Sequence, residues 1–150
     1  MSGYWEKPAE TQDVLGKDGW YQTRDLARID EEGYIYIVDR AKDMIISGAE
    51  NIYTVEVENA LYKHPAVLEA AVVGVPDHRW GEAVKACVVL KPGMSADAED
   101  IIGFCKTQIA SYKCPKSVDF LDAIPKSGAG KILKRVLREK YWEEHVRKVG

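Results

Sequence analysis

A lysine set between glycines is the first feature able to do chemistry: Pro125-Lys126-Ser127-Gly128-Ala129-Gly130-Lys131-Ile132-Leu133-Lys134-Arg135. Glycines let a backbone approach a ligand closely, and a lysine at a helix start can address phosphate or carboxylate oxygens. Taken alone, the segment is better read as a solvated surface loop. It is not a phosphate-binding P-loop, because the G-x-x-x-x-G-K-[ST] spacing is absent. Two further stretches combine glycine, aromatic and charged residues: Gly19-Trp20-Tyr21-Gln22-Thr23-Arg24-Asp25-Leu26 and residues 36–52, which include Asp39-Arg40-Ala41-Lys42 and Ser47-Gly48-Ala49-Glu50-Asn51. Cys87, Cys105 and Cys114 are odd in number and lack metal-ligand spacing, so no metal site is expected. They read most simply as reduced thiols of a cytoplasmic protein. A cysteine nucleophile would need a histidine in a partner motif, and none is recognisable. His64, His78 and His145 read as structural or solvated.

The elements that must position these residues are short. Residues 1–20 show no sustained period and hold a short helix around 9–15. Residues 26–29 and 34–38 are β-prone runs parted by Asp30-Glu31-Glu32-Gly33, a polar turn closed by glycine, which predicts a hairpin. Residues 39–43 form a charged break, 44–46 resume as a strand, and 47–51 read as a loop. Thr54 is the expected N-cap of a helix reaching Lys63, with Glu56 and Glu58 suited to its positive end. His64-Pro65 stops that helix, since the residue before proline is pushed out of the helical region. Strands follow at 67–75 and 83–90, joined by a turn at 76–81. Residues 98–109 predict a helix with Ile101, Phe104, Cys105 and Ile109 on its core face. A short strand at 118–121 precedes a final helix at 132–142, with Leu133, Val136, Leu137 and Tyr141 on one side.

The fold class expected is α+β, with residues 43–150 forming one small domain of short sheet flanked by helices. Residues 1–39 look too thin to fold alone, because an isolated hairpin is marginal in water. They read as the tail of a larger preceding domain. With 150 residues, 46% hydrophobic and 30% charged, the chain has a soluble globular composition. No apolar run is long enough to cross a bilayer, and residues 1–10 do not read as a signal peptide. A net charge of −3 argues against a general nucleic-acid binder. The charge is uneven, however: residues 1–33 carry a net −4 and residues 131–150 a net +4. A basic helix is usually a solvated face, though it also suits a phosphate-rich ligand.

These three segments, in this order, resemble the C-terminal motifs of the adenylate-forming superfamily: AMP-forming acyl-CoA synthetases, luciferase-like enzymes and peptide-synthetase adenylation domains. The opening Gly3-Tyr4-Trp5-Glu6-Lys7-Pro8-Ala9-Glu10-Thr11 also resembles the family, so the likeness spans nearly the whole chain. It implies that residues 1–39 end a nucleotide-binding N-terminal domain, 40–42 form a hinge, and 43–150 form a mobile lid. Asp25 falls on the aspartate that accepts hydrogen bonds from the ribose hydroxyls of ATP and of the acyl-adenylate. The family pattern there is usually Thr-Gly-Asp, whereas this chain has Thr23-Arg24-Asp25. Arg40 matches an arginine near the ribose, and Lys42 the hinge position, where a few residues absorb a large φ/ψ change.

By the same resemblance Lys131 is the catalytic lysine of adenylation, a compact cation on a long stem that stabilises charge on phosphate oxygens. Gly48 and Ala49 line the tunnel for the CoA pantetheine arm; alanine stands where a second glycine is common, implying a narrower tunnel. Trp80 matches an aromatic that lies against the CoA adenine in some benzoate-type ligases. Tyr112, Lys113 and Lys116 are candidates for the CoA phosphates, and equally for solvated surface.

The implied reaction joins a fatty or aromatic carboxylic acid to CoA through an acyl-adenylate, consuming ATP, with Mg2+ held by the N-terminal domain. The family's phosphate loop and acyl pocket are missing from this sequence, so the chain alone is expected to activate no acid. The expected partners are nucleotide, CoA and a carboxylic acid, not nucleic acid. One alternative is the end of a peptide-synthetase adenylation domain, which loads a carrier protein. The stop soon after the final helix favours CoA. Another is a stand-alone non-catalytic binding module, against which the presence of Lys131 and Asp25 argues.

Overall fold

A computed structural model describes residues 1–149, with side chains as far as Glu143. The chain divides into two compact units, Met1–Lys42 and Asp43–Gly150. The first unit holds helix α1 (Pro8–Val14), with proline suited to the first turn, and the antiparallel hairpin of β1 (Asp25–Ile29) and β2 (Ile35–Arg40). Its turn is built on Asp30, whose carboxylate accepts from the amides of Glu32 and Tyr34 at 3.0 and 2.9 Å and from the Tyr36 hydroxyl at 2.9 Å. The Tyr34 amide chiefly holds that carboxyl below its ordinary range. No apolar side chain of this unit is buried, and Ile29, Ile35 and Ile37 are each 64–65% exposed.

The second unit runs β3 (Ile45–Ser47), β4 (Glu50–Ile52), α2 (Thr54–Tyr62), β5 (Val67–Asp77), β6 (Gly81–Leu90), α3 (Ala98–Gln108), β7 (Ser117–Phe120) and α4 (Lys134–Val149). Its sheet has the order β4-β3-β6-β5, and β7 joins β6 in parallel at Lys85–Val88. Both faces of the β5–β6 pair are covered, which is why those strands read as nearly continuous apolar runs. On one face Ala70, Val72, Val84, Ala86 and Val88 pack with Val57 and Leu61 of α2 and Ile101 and Cys105 of α3. On the other, Ala71, Val73, Cys87 and Val89 pack with Ile124 and with Leu137 of α4. The unit is thus a sheet between two helical layers, an α+β domain. Among the described residues no helix is long and apolar enough to cross a membrane.

Several local expectations are corrected. The loop at 47–51 is a tight hairpin, since β3 and β4 pair from Ile45↔Ile52 to Ser47↔Glu50. Thr54 is not the N-cap of α2: Tyr53 holds that place with extended backbone, and Thr54, fully buried, opens the helix. Helix α3 is started by a capping box of Asp97 and Asp100. Helix α4 begins at Lys134, two residues later than its apolar spacing suggests, because Ile132 bridges to Lys126 instead. Val136, expected on its buried side, is 45% exposed.

Candidate functional site

Lys131 does not start a helix. It lies on the second arm of a small hairpin closed by a turn at Ser127–Gly130, where the Gly130 amide donates to the Ser127 carbonyl at 2.8 Å. The Ser127 amide donates to the Lys131 carbonyl at 2.8 Å, the Lys131 amide to Ser127 Oγ at 3.2 Å, and the Leu133 amide to the Pro125 carbonyl at 2.8 Å. Gly130 takes φ +76°, a left-handed conformation that glycine adopts freely. The lysine side chain is exposed and has no ionic partner among the described residues. Its neighbours differ: Lys126 pairs with Glu69, and Lys134 with Glu58 at 2.8 Å. A single unpaired ammonium is thereby presented from a hydrogen-bonded turn.

Gly48 and Ala49 form the two-residue turn between β3 and β4, with φ of +57° and +71°. Positive φ at both central positions is what a tight turn between right-twisted strands requires. The Gly48 amide donates to the Trp80 carbonyl at 2.9 Å, and a Cβ on Gly48 would lie 2.5 Å from Trp80 Cε3. Gly48 and Trp80, far apart in sequence, therefore meet. Trp80 stands on the turn between β5 and β6, where Asp77 Oδ1 accepts from the amides of Arg79 and Trp80, each at 2.9 Å. The Trp80 amide is the main reason that the Asp77 carboxyl sits below its ordinary range. The guanidinium of Arg79, which sequence reasoning passed over, lies 4.7 Å from the centroid of the Trp80 ring. The signal for it was only the adjacent Arg-Trp pair.

In the first unit Asp25 and Arg40 are cross-strand partners, with Arg40 Nε 3.6 Å from Asp25 Oδ1. The Asp25 amide donates to Thr23 Oγ1 at 3.1 Å. Arg24 takes φ +60°, so the backbone keeps a glycine-like conformation under an arginine side chain. The Arg24 carbonyl accepts from the Ala41 amide at 3.0 Å. Lys42 is the last residue of the first unit.

The remaining candidates have these surroundings. Lys113 is held by both Glu56 oxygens at 2.7 and 2.8 Å, which raises its pKa, so its charge is already committed. His64 Nδ1 accepts from the Ala66 amide at 3.2 Å while its ring meets Phe104 edge-on. His78 is exposed on the turn before Arg79, and His145 lies outside the described side chains. The three cysteines are free and buried, and burial pushes Cys105 up to about 12, so it holds no thiolate at neutral pH. Among the described residues no group of three or more His, Cys, Asp or Glu lies close enough together to hold a metal ion.

The model of the AMP-binding enzyme C-terminal domain matches residues 56–131, just over half of the chain. The chain belongs to this family. Among curated relatives, a feruloyl-CoA synthase of Amycolatopsis sp is 51% identical over 94% of this chain and 28% of its own length. A long-chain-fatty-acid–CoA ligase of Bacillus subtilis (strain 168) is 52% identical over 97% of this chain and 26% of its own length. Among solved structures, ATP-bound MatB from Rhodopseudomonas palustris aligns with a TM-score of 0.84 at 41% identity, covering 93% of this chain and 28% of that one. The chain thus spans only 24–29% of the length of such curated relatives.

Proposed function

We propose that this chain is the C-terminal part of an acid–CoA ligase and supplies the lysine that drives acyl-adenylate formation. The observation that carries this reading is the unpaired, exposed ammonium of Lys131 on its glycine turn, in a segment matching the C-terminal domain of AMP-binding enzymes. In adenylation a carboxylate oxygen attacks the α-phosphorus of ATP, and the bond to pyrophosphate breaks. Negative charge gathers on phosphate oxygens, and the Lys131 ammonium is placed to stabilise it. A free charge suits this task, because a lysine already paired with glutamate would have to break that pair first.

Asp25 serves the ribose hydroxyls, with Arg40 beside it. The exposed apolar face of the β1–β2 hairpin packs on the remainder of the nucleotide-binding domain, since a patch of this kind marks an interaction surface. Residues 40–42 act as the hinge, and the division of the chain after Lys42 supports this. In the second half-reaction the Gly48–Ala49 turn, backed by Trp80, guides the pantetheine thiol of CoA to the acyl-adenylate. Mg2+ is held with ATP by the N-terminal domain and screens phosphate charge there. A fatty or an aromatic acid is the substrate, in keeping with the two curated relatives.

The test separates the half-reactions in a full-length ligase carrying this segment. Lys131→Ala slows adenylation on the order of 100- to 1,000-fold, the loss seen when one preorganised donor is removed from a transition state. Thioester formation from supplied acyl-adenylate keeps its rate. Equal losses in both would refute the role.

A further inference from the structure

Resting on the reading of Lys131 just given, we infer that Lys134 and Glu58 are positioning residues for adenylation: their buried ion pair aims the turn that carries Lys131. Lys134 Nζ lies 2.8 Å from Glu58 Oε1 and donates to Thr54 Oγ1 at 2.7 Å. The two side chains are only 16% and 13% exposed, so the Lys134 ammonium is not offered to a ligand and acts through its neighbour. The same Glu58 oxygen accepts the Val72 amide at 2.8 Å, tying α2, β5 and the first residue of α4 at one carboxylate.

The place of this anchor gives it its meaning. The Lys131 hairpin is closed upon itself by bonds between its own arms, and its tip is exposed. It is held to the sheet through Ile124 and Ile132 in the second core cluster, Lys126 on Glu69, and Lys134 on Glu58. Apolar contact is non-directional, and the Lys126–Glu69 pair is more open to water, where such pairs contribute little. The Lys134 pair is charge-assisted, shielded and three residues from Lys131, so it fixes direction where the others fix only proximity. Stability alone gives it no special reason to exist, because well-packed apolar residues often replace a buried ion pair without loss. Geometry at a reacting centre gives such a reason: a displacement of about 1 Å can cost on the order of 100-fold in rate.

The experiment uses the full-length ligase with Lys134→Met and Glu58→Gln, and Lys131→Ala as reference. Lys134→Met is expected to lower the adenylation kcat by roughly 10- to 100-fold at unchanged KM for ATP, as misplacement of Lys131 requires. Thioester formation from supplied acyl-adenylate is expected to keep its rate. Equal loss in both half-reactions would show a merely structural pair and overturn the inference, as would unchanged adenylation. Should Lys134→Met fail to fold, Glu58→Gln, which keeps the acceptor for the Val72 amide, decides by the same criteria. A selective defect in Lys131→Ala with none in these variants sinks only the positioning role. If Lys131→Ala itself adenylates normally, the underlying reading of Lys131 falls, and this inference with it.

Discussion

A side chain held at positive φ crowds its own carbonyl, at a cost of about 1–2 kcal/mol. Arg24 and Ala49 both take this conformation, at +60° and +71°, where the resembling family commonly carries glycine. The backbone conformation is one that glycine would meet at least cost. Arg24 recovers a little through its contact with Asp13 at 3.6 Å, but both groups are well exposed and such pairs contribute little. Arg24→Gly and Ala49→Gly are therefore each expected to raise stability by up to about 1 kcal/mol, the strain relief exceeding the added freedom of the unfolded chain. Urea midpoints check this, and a fall in either variant would mean that its side chain makes a contact worth more than the strain. The two departures were legible in the sequence. That the chain bends for them as glycine would was not, because φ at Ala49 follows from the pairing of β3 with β4 around it, and at Arg24 from the start of the β1–β2 pairing at Asp25.

Helix α4 is held to the sheet by a polar cluster that its apolar stripe did not announce. Asp119 on β7 accepts from Lys85 Nζ at 2.6 Å, from Lys140 at 3.3 Å and from the Tyr141 hydroxyl, and Trp142 Nε1 donates to the Gly74 carbonyl at 3.2 Å. Burial pushes the Asp119 carboxyl up, but the bonds from Lys85 and Tyr141 and the charge of Lys85 outweigh it, leaving a pKa of about 2. Burial and the bond to Asp119 raise Tyr141 in turn. A carboxyl depressed in the folded state adds stability above its unfolded value and loses it as pH falls towards its folded value. That window runs from 3.8 down to about 2. Asp119→Asn should cost about 1–3 kcal/mol at neutral pH, the worth of hydrogen bonds to a charged group, and flatten the loss of thermal stability through the window. An unchanged acid profile would show that other carboxylates dominate it. The start of α4 at Lys134 was hidden for a related reason, since a local hairpin competes with the helix for Ile132. Strands β3 and β4 are three residues each, too short for any period to show.

At the scale of the molecule the two units differ in kind. The second carries a core on each face of its sheet, whereas the first buries no apolar side chain. Short apolar strand runs interleaved with helices, one of them with a clear apolar stripe, made the small α+β domain readable in advance. The Lys134–Thr54 bond joins residues 80 positions apart, a closeness that only the folded chain creates. Likewise the pairing of Gly48 with Trp80 follows from the register that sets Ser47 opposite Gly81. Under the proposed function this chain contributes the Lys131 cation and the lid, and acyl and nucleotide binding fall mainly to the rest of the ligase.

ATP–pyrophosphate exchange, which reports adenylation alone, tests that assignment most directly when run on the 150-residue chain, the full-length ligase and its Lys131→Ala variant. The predicted result is acid-dependent exchange by the full-length ligase only, with the variant down on the order of 100-fold or more. Exchange by the chain alone, or undiminished exchange by the variant, would contradict it.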